Sequence, residues 1–292
     1  MTTFSSEKLA IIGLGLMGGS MALALRGQSK CIIGLDLSQE TRDYAVRQGI
    51  VDYATDDLYT AVHEADTVIL AAPVRVILDL LQNRIGTYLR SNTLLIDIGS
   101  TKADICEAMG RLPIGIHAIG GHPMTGKETS GIEVSDARLY VNKPFVLCDT
   151  RRTTPATRLR ALGLVEALQA TPIELDAERH DRVVATISHV PYLLSAALMA
   201  TASRQAEQDE AVWALAAGGF RDTTRLAGSD ITMMSDIVST NTQAIAELLA
   251  HFRVQLALLE TMLISNDQDR LRESLKPMRE ARINWSKHYE RR

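Results

Sequence analysis

A short apolar run, Leu9-Ala10-Ile11-Ile12, meets three glycines at fixed spacing in Gly13-Leu14-Gly15-Leu16-Met17-Gly18 and then passes into the helix formers Met21-Ala22-Leu23-Ala24-Leu25. That order of strand, glycine turn and helix constrains the fold more than any other feature of the chain. Gly13 allows the tight turn, Gly15 lets backbone approach a pyrophosphate, and Gly18 lets the helix pack against the strand. The helix start offers unpaired N–H groups and a positive dipole end to phosphate. The spacing alone also fits a plain turn in an α/β domain. A second apolar run, Cys31-Ile32-Ile33-Gly34-Leu35, ends in Asp36, 18 positions beyond Gly18, near the separation of about 20 expected of a ribose-binding acid. Together they predict a dinucleotide site built from Gly13, Leu14, Gly15, Leu16, Met17, Gly18 and Asp36. A carboxylate there accepts hydrogen bonds from both ribose hydroxyls and repels a 2′-phosphate, which favours NAD. Leu37 and Ser38 bring no arginine to offset it, and Arg42 is expected one turn into the next helix and solvated. The alternative role for Asp36 is to cap that helix.

The 292 residues suffice for two domains, each with its own core. With 46% hydrophobic and 23% charged residues the composition is that of a soluble globular protein. Thirty-one basic against 35 acidic residues give a net charge of -4, which argues against a general nucleic-acid binder. Cys31, Cys106 and Cys148 fit neither a zinc spacing nor a disulfide framework, and no cluster of ligand spacing asks for a metal. The start has no signal-peptide pattern, and no uninterrupted apolar run reaches the roughly 18 residues of a membrane span. The expectation is a soluble cytoplasmic protein acting on a small molecule, with no nucleic-acid or membrane partner.

Up to about residue 175 short apolar runs alternate with amphipathic segments, which predicts βαβ units and a mostly parallel sheet. Strands are expected at 9–12, 31–35, 50–51, 67–73, 93–98, 114–119, 145–148 and 173–175. Ser38 is expected to cap a helix ending at Gly49, and another helix to run from Pro155 to Ala170. Beyond Asp176 apolar residues fall at helical spacing instead. Ile245, Leu248, Leu249, Phe252, Leu256, Leu259 and Leu263 form a stripe over about five turns. The fold class is therefore α/β, a Rossmann-type domain over 1–175 followed by an all-α domain over 176–292. The stripe reads first as core, and the long helices also suit a homodimer that intertwines them.

Ligands of an open α/β sheet bind at the carboxyl ends of its strands. Ser100 and His122 follow two such ends, which places them toward the nicotinamide end of one cleft. Ser100 also reads as the N-cap of the helix that starts near Ala103. His122 reads as a turn residue held by Pro123 or, preferred here, as a neutral imidazole that abstracts a proton from an alcohol. His189 lies in an apolar helical stretch, where core packing is the commoner role. Pro191 beside it lacks an N–H, frees the carbonyl of Ile187 and predicts a kink. Arg225 can pair with Asp222 or Asp230 on the surface, or clamp a carboxylate bidentately.

Gly99-Ser100-Thr101-Lys102, Gly120-Gly121-His122-Pro123-Met124-Thr125-Gly126-Lys127-Glu128-Thr129-Ser130-Gly131, Ser188-His189-Val190-Pro191 and Phe220-Arg221-Asp222-Thr223-Thr224-Arg225 occur in that order. With the glycine fingerprint, the chain resembles the prephenate/arogenate dehydrogenase family of tyrosine biosynthesis, from Lys8 to at least Asp236. The resemblance implies oxidative decarboxylation of prephenate to 4-hydroxyphenylpyruvate with hydride transfer to NAD+. It implies His122 as the group that takes the hydroxyl proton, with Ser100 orienting it. It also implies that His189 and Arg225 bind the anionic parts of the substrate, that Glu128 gates the entrance and that Asp222 steadies the arginine. Some relatives carry tryptophan where this chain has Met234, in an expected loop that reaches a neighbouring subunit. No appended regulatory domain or fused chorismate mutase is expected. The alternatives are arogenate as substrate, another Rossmann-plus-helical dehydrogenase of the hydroxyacid or 6-phosphogluconate type, and a non-catalytic dinucleotide sensor. Both the hydroxyacid and the 6-phosphogluconate types would present a lysine base in the helical half, and no comparable lysine lies near Ser188-His189.

Overall fold

Eight strands form one sheet in the order β3-β2-β1-β4-β5-β6-β7-β8. The computed structural model describes residues 4–127 and 129–289. The strands are β1 (Leu9–Ile12), β2 (Ile32–Leu35), β3 (Tyr53–Thr55), β4 (Thr67–Leu70), β5 (Leu94–Asp97), β6 (His117–Pro123), β7 (Pro144–Asp149) and β8 (Thr171–Glu174). All neighbours pair in parallel except β6 and β7, which are antiparallel. Between them lie α1 (Leu16–Ala24), α2 (Gln39–Arg47), α3 (Leu58–Val62), α4 (Val74–Asn83), α5 (Ala103–Gly110) and α6 (Pro155–Ala167). Because successive strand residues face opposite sides, β1 splits its side chains between two cores. Leu9 and Ile11 join one and Ala10 and Ile12 the other. Apolar runs without alternation are what a sheet covered on both faces requires.

Two sequence expectations shift for identifiable reasons. The third strand lies at Tyr53–Thr55, not at Ile50-Val51, because those residues finish α2. The N–H of Gly49 bonds to the carbonyl of Val46 and that of Ile50 to Ala45, the paired bonds of a Schellman cap. Ser38 caps α2 as expected, its hydroxyl accepting from the Thr41 N–H. The sixth strand begins at His117 and continues through Gly120, Gly121 and His122 to Pro123, where the sequence suggested a break. Antiparallel pairing of Gly120 with Cys148 and of His122 with Val146 extends it.

The helices after β8 are α7 (Ala177–Val184), α8 (Val190–Ala206), α9 (Ala211–Ala214), α10 (Gly218–Thr224), α11 (Ile231–Ser239), α12 (Thr242–Ile264) and α13 (Gln268–His288). A π turn at Ala185–His189 joins α7 to α8, so the distortion expected from Pro191 is a π-bulge. The continuous helix Ala177–Ala206 is long and apolar enough to cross a membrane by length and composition, although its apolar residues are interrupted by polar ones and form no single run in the sequence. A helix that packs against protein passes the same test, and 28% of its most apolar window is buried within this chain.

By packing, the chain forms two compact units, one ending at Asn241 and the other starting at Thr242. The expected boundary at 175 falls inside the first unit. Polar ties account for this: Asp181 of α7 binds the start of α5, Thr101 meets Thr240, and Arg75 of α4 meets Asp236 and Ser239 of α11. The second unit is the α12–α13 pair. On α12 Ile245 is buried, whereas Leu256 and Leu263 of the apolar stripe are exposed.

Candidate active site

The glycine turn is built as its spacing predicts. Gly13 has φ +97, and a Cβ on it would meet the Ala71 carbonyl oxygen at 2.5 Å. A Cβ on Gly18 would lie 1.9 Å from the Gly13 oxygen, so any side chain there would force α1 off β1. Gly15, at the start of α1, faces open space within 4 Å, and no side chain caps that helix. Its first N–H groups are left for an anion, which is the environment a pyrophosphate needs. Asp36 follows β2 and accepts from the Leu14 N–H at 3.0 Å and the Ser38 N–H at 2.9 Å. It therefore ties the glycine turn to the next loop, and these residues fit a dinucleotide. Arg42 is not solvated as expected: it is buried, donating to the carbonyls of Asp36 and Leu37 and pairing with Asp56.

At the far strands a buried ion pair organises the chain around His122. Asp97 ends β5 and pairs with Lys102, both wholly inaccessible to solvent. Its carboxylate also accepts the N–H groups of Gly99 and Gly121. Buried charges are tolerated only when paired and hydrogen-bonded in this way. A Cβ on Gly121 would sit 2.6 Å from the Asp97 backbone oxygen, so β6 can pass this close to β5 only with glycine there. Ser100 is half-buried in the loop between β5 and α5. It does not cap α5. The first N–H groups of that helix, from Lys102 and Ala103, are instead accepted by the Asp181 carboxylate at 2.7 and 2.9 Å.

His122 lies near the carboxyl end of β6, the edge of the sheet that also carries the Gly13 turn. Its Nδ1 is 2.8 Å from Nε2 of His180, whose Nδ1 is 2.8 Å from Oδ1 of Asp181. Burial, and then the neighbouring His180, Lys102 and His189, hold the pKa of His122 well below the ordinary histidine value. It is therefore an unprotonated imidazole at neutral pH, the form a general base requires. His189 closes the π turn and is buried. Burial brings its pKa down to about 4, against the opposing pull of Asp181. The amide nitrogen of Asn241 donates to the Asp181 carbonyl at 2.7 Å and faces Nδ1 of His189 at 3.2 Å. A carbonyl can only accept, so the amide is oriented and His189 keeps its proton on Nε2 as a neutral donor.

Arg225 follows α10 and is exposed. Its segment is tied to α8 where the Ala227 N–H donates to the buried Ser195 hydroxyl at 2.9 Å. Asp222, expected to steady Arg225, lies 3.5 Å from Arg221, with both side chains largely in solvent. Glu128 falls outside the described residues. Met234 sits buried in α11, not in a loop. Sequence reasoning missed Asp97, Lys102, His180, Asp181 and Asn241. Lys102 stands within the Gly99-Ser100-Thr101-Lys102 motif, but nothing in the sequence signals that the adjacent His180-Asp181 pair of α7 reaches β6 and α5.

The family model described as "Prephenate dehydrogenase, nucleotide-binding domain" matches residues 21–173, and "Prephenate dehydrogenase, dimerization domain" matches residues 176–277. A prephenate dehydrogenase of Lactococcus lactis is 37% identical over 86% of this chain and 69% of its own length. The crystal structure of prephenate dehydrogenase from A. aeolicus in complex with hydroxyphenyl propionate and NAD+ superposes with a TM-score of 0.88 at 28% identity, covering 97% of this chain and 99% of that one. Synechocystis arogenate dehydrogenase superposes with a TM-score of 0.82 at 30% identity, covering 95% and 99%.

Proposed function

Because this chain belongs to the prephenate dehydrogenase family, we propose that it converts prephenate to 4-hydroxyphenylpyruvate with NAD+, in tyrosine biosynthesis, using His122 as the base. One observation carries the assignment of the base: an imidazole on β6, its pKa lowered by burial, at the sheet edge where an uncapped helix start and Asp36 form a dinucleotide cradle. NAD+ bound there supplies the hydride acceptor. Prephenate carries a ring hydroxyl opposite a carbon that bears a carboxylate. Loss of hydride and proton from the carbinol gives a ketone conjugated toward that carboxylate, so carbon dioxide leaves and the ring becomes aromatic. The protein must take the hydroxyl proton, orient the ring and hold two carboxylates. His122 takes the proton and Ser100 orients the hydroxyl. His189 donates from Nε2 and Arg225 supplies positive charge to the carboxylates. Glu128 is assigned to the entrance by its place in the G-G-H-P segment alone.

The functional boundary lies near 175, with cofactor binding before it and substrate and subunit contacts after it. The family matches meet at this point. The enzyme works as a homodimer: exposed Val254, Leu256, Leu263 and Ile264 on α12 supply apolar surface for a partner. The cytoplasm suits a chain whose three cysteines are all unpaired.

Arogenate is the second reading, favoured by the likeness to Synechocystis arogenate dehydrogenase. Formation of reduced cofactor, measured with each substrate and with NAD+ or NADP+, separates the two; arogenate turning over faster would replace prephenate as the substrate. The same assay tests cofactor choice. Asp36 repels a 2′-phosphate, and Arg42 is committed to Asp56 and two carbonyls. NAD+ should therefore be preferred by at least about tenfold in kcat/KM, roughly 1.4 kcal/mol. Asp36→Ser should move that preference toward NADP+. Equal use of both cofactors by the wild type, or an unmoved preference in the variant, would refute the role of Asp36.

A further inference from the structure

We propose that His180 and Asp181 are positioning residues that set the proton on His122 and receive the one it gives up. This rests on the assignment of His122 as the base. The chain of contacts is His122 Nδ1 to His180 Nε2 at 2.8 Å and His180 Nδ1 to Asp181 Oδ1 at 2.8 Å. The far end of that chain is fixed. Both carboxylate oxygens of Asp181 accept backbone N–H groups at the start of α5, contacts that only an ionised carboxylate makes fully and that the helix dipole strengthens.

The tautomers follow from donor and acceptor rules. An ionised Asp181 requires the proton of neutral His180 on Nδ1. Nε2 of His180 is then a lone pair and must accept, so His122 carries its proton on Nδ1. Nε2 of His122 is left as a lone pair, the only form in which that atom can take a proton from a substrate hydroxyl. Without His180 nothing in this chain of contacts would select that tautomer.

The same contacts give the proton somewhere to go. As the O–H bond of the substrate breaks, its proton bonds to Nε2 of His122 while the Nδ1 proton of His122 passes to Nε2 of His180. The electron pair of the O–H bond forms the new C=O as hydride leaves the carbon. The positive charge rests on His180, beside Asp181, and not on His122, which burial holds against protonation. His180 and Asp181 are themselves buried, so water does not compete for these contacts. An aspartate behind a histidine is known to fix its tautomer in this manner; here a second imidazole is interposed, and the carboxylate at the far end also serves as the cap of α5.

Two variants separate orientation from proton transfer. His180→Phe keeps ring volume but removes the acceptor. His180→Gln retains an acceptor for the Nδ1 proton and cannot carry a proton itself. In nitrogen NMR of the free wild-type enzyme, His122 should be protonated on Nδ1 and bare on Nε2. In His180→Phe the Nε2-protonated form should appear. With prephenate and NAD+, kcat should fall about 100-fold or more in His180→Phe and about tenfold in His180→Gln, with KM for prephenate within about twofold in both. The spectrum reads the free enzyme, so it tests the contact chain even if neither prephenate nor arogenate is turned over. Absence of turnover in the wild type would instead strike the functional assignment. A wild-type His122 protonated on Nε2, or a His180→Phe enzyme with kcat within twofold of wild type, overturns the proposal.

Discussion

Replacing His122 with asparagine should lower kcat by about 100-fold or more while leaving KM for prephenate little changed, the usual scale for removal of a general base. Asparagine keeps a polar side chain on β6 but cannot accept a proton from an alcohol. The effect should fall on kcat because the proton moves only as the hydride does, so the lost interaction belongs to the transition state. The pH dependence has a definite sign. The pKa of His122 lies below the ordinary value, so raising the pH above neutral uncovers no further base and activity should not rise. Lowering the pH through the depressed pKa values of His122 and His189 protonates these two and should reduce kcat/KM. Absorbance of reduced cofactor, with circular dichroism to verify folding, measures all of this. A folded His122→Asn enzyme with near-normal kcat removes His122 from the mechanism.

The parts of this site that sequence made legible are those written in local spacing. Gly18 is dictated by a contact within one βα unit, the Gly13 carbonyl lying where its side chain would otherwise go, and Gly13 by its own left-handed backbone at φ +97. The stripe from Ile245 to Leu263 is likewise local, and it is one helix, Thr242–Ile264. Non-local choices were not legible. Ser100 has the residue type and position of an N-cap, yet a carboxylate 78 positions downstream of Ala103 takes that role, because tertiary contact outbids local propensity. Arg42 reads as a helix-surface arginine, yet it is drawn in by the carbonyls of Asp36 and Leu37 and by Asp56, which arrives from the loop after β3. The Gly120-Gly121 pair looks like a strand break because glycine is poor in strands. It lies inside β6 because α5 packs so close to one glycine and β5 to the other that a Cβ on Gly120 would meet Cys106 Sγ, and one on Gly121 the Asp97 backbone oxygen, each at 2.6 Å. The strand ends and the Ser188-His189-Val190-Pro191 segment pointed to His122 and His189, and the resemblance to a family added their roles toward the substrate. It did not supply the His180-Asp181 pair that connects one of them to α5.

Arg225→Ala should weaken prephenate binding by roughly 2–5 kcal/mol, read mainly as a raised KM, if the guanidinium holds a substrate carboxylate. The segment that carries Arg225 is docked on α8 through the bond from the Ala227 N–H to Ser195. Ser195 lies six residues beyond His189 on the same continuous helix, about 9 Å along its axis. One rigid element thus positions both a neutral donor and a cationic group. That separation of roles is physically reasonable. His189 is buried and held neutral, with a pKa of about 4, so it can direct a carboxylate but not neutralise it. The charge must come from a group that stays ionised, and arginine does so at any physiological pH while offering two parallel N–H donors. Arg225→Lys should recover only part of the loss, since an ammonium keeps the charge but not the paired geometry. Affinity for NAD+ should be unchanged in both variants, because the dinucleotide cradle is made by the glycine turn and Asp36. Titration of NAD+ in the absence of substrate, beside KM for prephenate, separates the two sites. An Arg225→Ala enzyme with altered NAD+ affinity and an unchanged KM for prephenate would place this arginine outside the substrate site.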